Sequence, residues 1–185
     1  METHGIRATS RMFELQRLQG DGERAISVQT RKGSNVRNSL GLDLTESHRR
    51  RYDLLLSRYG QNWQIRRPPS GCYNCAGHVW ASRRTCIYEA EDWQLILADD
   101  GYRRTNEPVA DDLILYVEKD QGILHIGRVL EVRAGITAES RRIPWVLSKW
   151  NDWSGEVCHF EHDHPLRTPG FTVTIEYWTD RPFET

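Results

Sequence analysis

Tyr73-Asn-Cys-Ala-Gly-His-Val-Trp-Ala-Ser82 places a single cysteine where a helix can begin. Asn74 is a good N-cap, because its side-chain oxygen can accept from an unpaired N–H of the first turn. Cys75, His78, Val79 and Ser82 then follow at i, i+3, i+4 and i+7, so the spacing predicts a helix over Asn74 to about Arg84. The breaker Arg66-Arg-Pro-Pro-Ser-Gly71 separates it from what precedes. The thiolate attacks, not the thiol, and a helix N-terminus favours the anion. Cys75 thus has three readings: a nucleophile, a zinc ligand, or a buried thiol with no chemistry.

Upstream, Thr45 to Tyr59 reads as a helix. Thr45 caps it, Tyr52, Leu55, Leu56 and Tyr59 share a face, and Gly60 stops it. Residues 1–42 are polar without a clear period and read as a poorly ordered arm or a peripheral wrap. Within them, Met12, Phe13, Leu15 and Leu18 could form one helical turn. Downstream, a helix is expected near Glu91 to Ala98, followed by the turn Asp99-Asp-Gly101. After Pro108 the texture changes to β-branched and aromatic runs: Leu113–Glu118, Ile123–Arg133, Ile143–Trp150, Glu156–Phe160 and Phe171–Trp178. The last alternates strictly, as a half-buried strand does. Helices first and strands after predict an α+β fold, N-terminal helices on an antiparallel sheet, with residues 43–185 forming one domain.

Composition narrows the function classes. The chain has 185 residues, 28% charged and 38% hydrophobic, with a net charge of -1. That size can bury a real core, and the charge gives no field for nucleic acid or an anionic membrane. Short basic clusters such as Arg49-Arg-Arg51 and Arg141-Arg142 read as solvated surface. No signal-peptide pattern and no long apolar run is seen, so a cytoplasmic protein is expected, with signal-less export left open. There thiols stay reduced, so Cys72, Cys75, Cys86 and Cys158 are free, metal-bound or catalytic rather than a disulfide frame.

A nucleophilic Cys75 needs a base within hydrogen-bond reach. His125 is the candidate, a lone polar residue in the apolar run Ile123-Leu-His-Ile-Gly-Arg-Val-Leu130, beside Gly127, which leaves room for close approach. The bland reading is a satisfied core histidine. For zinc, Cys72-x-x-Cys75 has ligand spacing, and Cys158, His159, His162 and His164 are rich in ligands. Yet some 80 residues separate the two groups, unlike the tight pairs of structural zinc sites. His78, one turn from Cys75, could line a cleft or simply pack. Seven tryptophans are many for this length. Core packing is their ordinary role, but Trp150 and Trp153 flank Asn151 where an aromatic cleft wall could stand.

The stretch Asn74-Cys-Ala-Gly-His-Val79 resembles the D-C-S-G-hydrophobic helix start of papain-like cysteine peptidases and amidases of the NlpC and CHAP types. Asp111-Asp-Leu-Ile-Leu-Tyr116 followed by His125-Ile-Gly-Arg-Val129 resembles their G-D-hydrophobic strand and H-hydrophobic-G strand, in the same order and roughly 50 residues on. The resemblance covers about residues 73–133 and reaches Phe160 loosely. It implies a papain-like fold and thiol cleavage or acyl transfer at an amide bond of a peptide or protein substrate, with no cofactor. It also implies Cys75 as nucleophile, its own N–H in an oxyanion hole, His125 as general base, and Tyr73 packed near the site. Asn74 stands where Asp is usual, and Ala76 where Ser is usual. For the group that orients His125, the resemblance offers Ser148 or Asn151, with Lys149 replacing the acidic residue expected beside Asn151, and His159 on the next strand could also reach. The competing classes are a catalytically inactive binding module on the same fold and a zinc-stabilised interaction domain.

Overall fold

A computed structural model describes residues 26–134, 142–167 and 172–182. The helical turn considered at Met12–Leu18 lies outside them. Helix α1 spans Glu46–Tyr59 and is capped by a reciprocal pair: the Thr45 side chain accepts from the His48 N–H, and the His48 side chain from the Thr45 N–H. Tyr52 is buried, while Leu55, Leu56 and Tyr59 are partly buried against the same cluster. Helix α2, Cys75–Trp80, is shorter than its spacing suggests. Ser82 and Arg83 both take positive φ (50° and 66°), which ends the helix in a left-handed turn. Arg83 is thereby free to reach Glu156. Helix α3 covers Ala90–Asp99, and Gly101 at φ 77° turns the chain out of it.

Among the described residues, seven strands make one antiparallel sheet: β1 Gln64–Arg67, β2 Arg103–Thr105, β3 Leu113–Glu118, β4 Gly122–Arg133, β5 Ile143–Ser148, β6 Glu156–Phe160 and β7 Val173–Thr179. Their order is β1-β6-β5-β4-β3-β7-β2. The five longer strands are those the apolar runs predict. The edge strands β1 and β2 are polar and short, with nothing in their own sequence to mark them, and exist because β6 and β7 offer unpaired backbone.

The sheet carries apolar side chains on both faces. On one, α2 and α3 pack Cys75, Ala76, Val79, Trp93, Ile96 and Leu97 against Leu113, Leu115 and Ile126. On the other, Trp63 and the inner face of α1 cover Ile114, Tyr116, Val129, Val146, Val157 and Trp150. Each fully buried aliphatic side chain contributes about 1.5–3 kcal/mol. Residues 26–42 cross the body rather than leave it: Val36 is buried, and Ser39 and Cys86 exchange backbone hydrogen bonds. Among the described residues, no helix is long and apolar enough to cross a membrane.

Candidate functional site

Helix α2 presents Cys75 at its first residue. The Asn74 side chain holds that start: Oδ1 accepts from the Gly77 and Ile87 N–H groups, and Nδ2 donates to the Ile87 carbonyl. Gly77 is obligatory here for contact, since a Cβ would lie 1.8 Å from the Thr85 carbonyl oxygen. The Cys75 sulfur receives backbone N–H groups from Ile126, Ala76 and Cys75 itself, all of which favour the thiolate. Burial outweighs them and pushes the thiol up to about 11, so at neutral pH it is protonated in this conformation.

His125 lies elsewhere. Successive strand residues face opposite ways, so Ile126 meets Cys75 while His125 points into the other layer. Its ring stacks on Trp150 at 3.9 Å between centroids and tilts against Tyr116 at 5.6 Å. His125 Nε2 is buried without a hydrogen-bond partner, so no Cys75–His125 hydrogen bond passes through it. Burial, then the nearby His159, His164 and His78, hold the imidazole well below its ordinary range, which keeps it neutral.

The three residues considered as orienters of His125 divide. Ser148 and His159 share its face of the sheet. Ser148 Oγ stands over Gly127, where a Cβ would come within 2.8 Å, and it has no hydrogen-bond partner. His159 Nδ1 meets the Phe160 carbonyl at 2.7 Å, and its Nε2 is also unpartnered. Asn151 uses its backbone, not its side chain, to close a turn with Ser154. None of the three bonds to His125 Nε2. Trp150 is the hub instead, with His159 at 5.4 Å and His164 at 6.2 Å from its ring.

The residues considered for substrate binding on the α2 side form a charged network. Tyr73 OH donates to Glu156 Oε1 at 2.6 Å, and Arg83 donates to both Glu156 oxygens at 2.5 and 3.2 Å. His78 Nε2 sits 3.9 Å from Glu156 and 3.2 Å from Arg83 Nη2. Its burial lowers it to about 4, against the pull of Glu156. Lys149, fully buried, donates to the Ser70 and Ser154 carbonyls and lies 4.8 Å over the Tyr73 ring. Desolvation lowers it to about 8. Sequence reading missed Glu156, Arg83 and the burial of Lys149. The available signal was Glu156 opening the otherwise apolar strand Glu156-Val-Cys-His-Phe160.

The zinc ligands suggested by spacing are not gathered. Cys72 is exposed while Cys75 is buried, and Cys158 packs with Trp145 and Leu147 on the face away from His159. Among the described residues, no three His, Cys, Asp or Glu side chains converge to hold a metal. Asp112, part of the strand motif, serves the fold: its carboxylate accepts from the Val109 N–H and from Arg181. Comparison with family models, curated proteins and solved structures finds no significant match.

Proposed function

We propose that the chain is a thiol hydrolase or acyltransferase of papain-like architecture, acting on an amide bond with Cys75 as nucleophile and His125 as base. The observation that carries this reading is the placement of Cys75 at the first residue of α2, behind the Asn74 cap, where the N–H groups of the first turn favour an anion. An oxyanion formed beside this sulfur would meet the same N–H groups, and one such donor is worth about 2.7–4 kcal/mol in known enzymes. In the reaction, His125 takes the thiol proton and sulfur bonds to the acyl carbon. The C–N bond then breaks, with the proton passing to the leaving amine. Water or a second amine resolves the thioester.

The described conformation is a resting one on this reading. For the pair to form, the backbone of β4 must turn over at His125, because side-chain rotation alone leaves the ring on the Trp150 face of the sheet. A second reading has its own observation: a thiol near 11 and a stacked, neutral His125 with an unpartnered Nε2 suit a non-catalytic binding module.

Iodoacetamide alkylation across pH, read by peptide mass spectrometry on wild type and His125→Ala, separates the two. Alkylation through a minor open state keeps the pH profile of that state, although the open fraction slows it. The enzyme reading expects Cys75 to titrate below pH 8 and to slow at least about tenfold without His125. If Cys75 instead titrates with the buried Cys86 and Cys158 and ignores His125, the binding module stands.

A further inference from the structure

A second site lies on the opposite side of the sheet from Cys75, where the C-terminal end of α1 meets the turn after β6. A cavity of about 290 Å³ opens there. One wall carries Arg58, Tyr59, Gln61 and Asn62, and the other His162, His164 and Arg167. The charge of the lining is lopsided, with two guanidinium groups against one carboxylate, Asp163, while burial lowers His164 to about 4 and leaves it a neutral hydrogen-bonding group.

The positive groups are not spent on the protein. The described structure contains no ion pair for Arg58, and Arg167 donates only to the His162 carbonyl at 3.3 Å, which holds its guanidinium at the rim. His164 is 5% exposed, and its Nδ1 has no hydrogen-bond partner. A buried polar atom left unmatched calls for an explanation, and a ligand is one.

The walls are also braced before any ligand arrives. Tyr59 stacks on Trp63 at 5.4 Å, and Trp63 Nε1 donates to the Asp163 carbonyl at 2.8 Å, which ties the two sides together. Below them, Tyr116 OH donates to the Glu161 carbonyl at 3.0 Å and packs on the His164 ring at 4.8 Å. Such bracing removes ordering costs that binding would otherwise carry.

We propose that this cavity is a binding site for a small ligand bearing a phosphate monoester. Two arginines facing one space match the planar, multi-oxygen geometry of phosphate. A charge of about −1.5 to −2 at pH 7 suits this cationic lining better than a single carboxylate. Gln61 and Asn62 supply neutral donors, and the Tyr59 ring offers a surface for the rest of the ligand. The volume of about 290 Å³ and the chain's net charge of -1 point to a small molecule rather than a nucleic-acid strand.

The test is isothermal titration of the full chain at low ionic strength with inorganic phosphate and with phenyl phosphate, repeated on Arg58→Gln and Arg167→Gln. Both side chains are exposed, so these variants keep the fold, which thermal denaturation checks. Saturable binding of both probes is expected, with phenyl phosphate tighter, and about tenfold weaker binding in each variant, as loss of one charge-assisted pair implies. Glucose at the same concentration serves as the uncharged control. No saturable heat with either probe overturns the proposal, and so does phosphate binding that both variants leave unchanged. None of these outcomes touches Cys75, so the result is independent of the thiol reading.

Discussion

Lowering the pH from 7 to 5 is expected to unload most of this protein's stability, and the buried histidines are the reason. His159 is fully buried and lowered to about 4, first by desolvation. His78 and His164 are lowered to about 4 for the same reason, and His125 well below its ordinary range. A group whose folded pKa is depressed contributes stability that is complete above its unfolded value, near 6.5, and lost as pH falls towards the folded one. With 6.5 unfolded and about 4 folded, His78, His159 and His164 each lose roughly 2 kcal/mol by pH 5, and His125 adds a loss of the same sign. Three together lose roughly 6 kcal/mol, against a total of about 5–15 for an ordinary domain. Glu156, also held below its usual range, acts only below about pH 4.5, so the window between 6.5 and 4.5 belongs to histidine. Urea denaturation at pH 7, 6 and 5 measures the loss directly, and a constant m-value guards against a change in mechanism. His159→Gln removes its own share, about 2 kcal/mol of the loss between pH 7 and 5, and flattens the pH slope accordingly. A stability that holds level from pH 7 to 5 refutes the reasoning, as does a slope that His159→Gln leaves unchanged.

Three substitutions test the supports of α2. Glu156→Gln strips the charge that Arg83, Arg67 and Tyr73 share, and is expected to cost about 2–4 kcal/mol, less than a fully buried pair because Arg83 can swing into water; a melting temperature within a degree of wild type would contradict the network. Asn74→Ala loses the N-cap and the partner of the Ile87 N–H, while the Ile87 carbonyl keeps Trp93 Nε1, for about 2–4 kcal/mol in urea titration. The same variant loosens the start of α2, so Cys75 alkylation at fixed pH speeds up. Gly77→Ala drives a methyl group into the Thr85 carbonyl and is expected to leave little folded protein on gel filtration, whereas Gly33→Ala, with open space around its Cβ, costs only the strain of its positive φ.

Much of the α+β layout was legible before any coordinates. The five longer strands announce themselves by β-branched and aromatic runs, and Thr45 and Tyr52–Tyr59 mark α1, because both are local patterns matched to one buried surface. The end of α2 was not legible, since Ser82 and Arg83 carry no breaker; the chain turns left-handed there, where Arg83 meets Glu156 across 73 residues of sequence. The edge strands were equally silent, being polar segments recruited by a neighbour's unpaired backbone.

The candidate site divides in the same way. The residues of the motif determine that a cysteine opens a helix and that a histidine sits beside a glycine in an apolar strand. Alternation along β4 further requires that His125 and Ile126 face opposite ways. Which face α2 covers is not written in either segment. That choice is made by how Ala76, Val79, Trp93 and Ile96 fit against Leu113, Leu115 and Ile126, a sum of many small contacts across distant parts of the chain. It sets Cys75 against the Ile126 N–H and leaves His125 stacked on Trp150. Local sequence determined which chemical groups the strand and helix carry; only tertiary packing decided which of them meet.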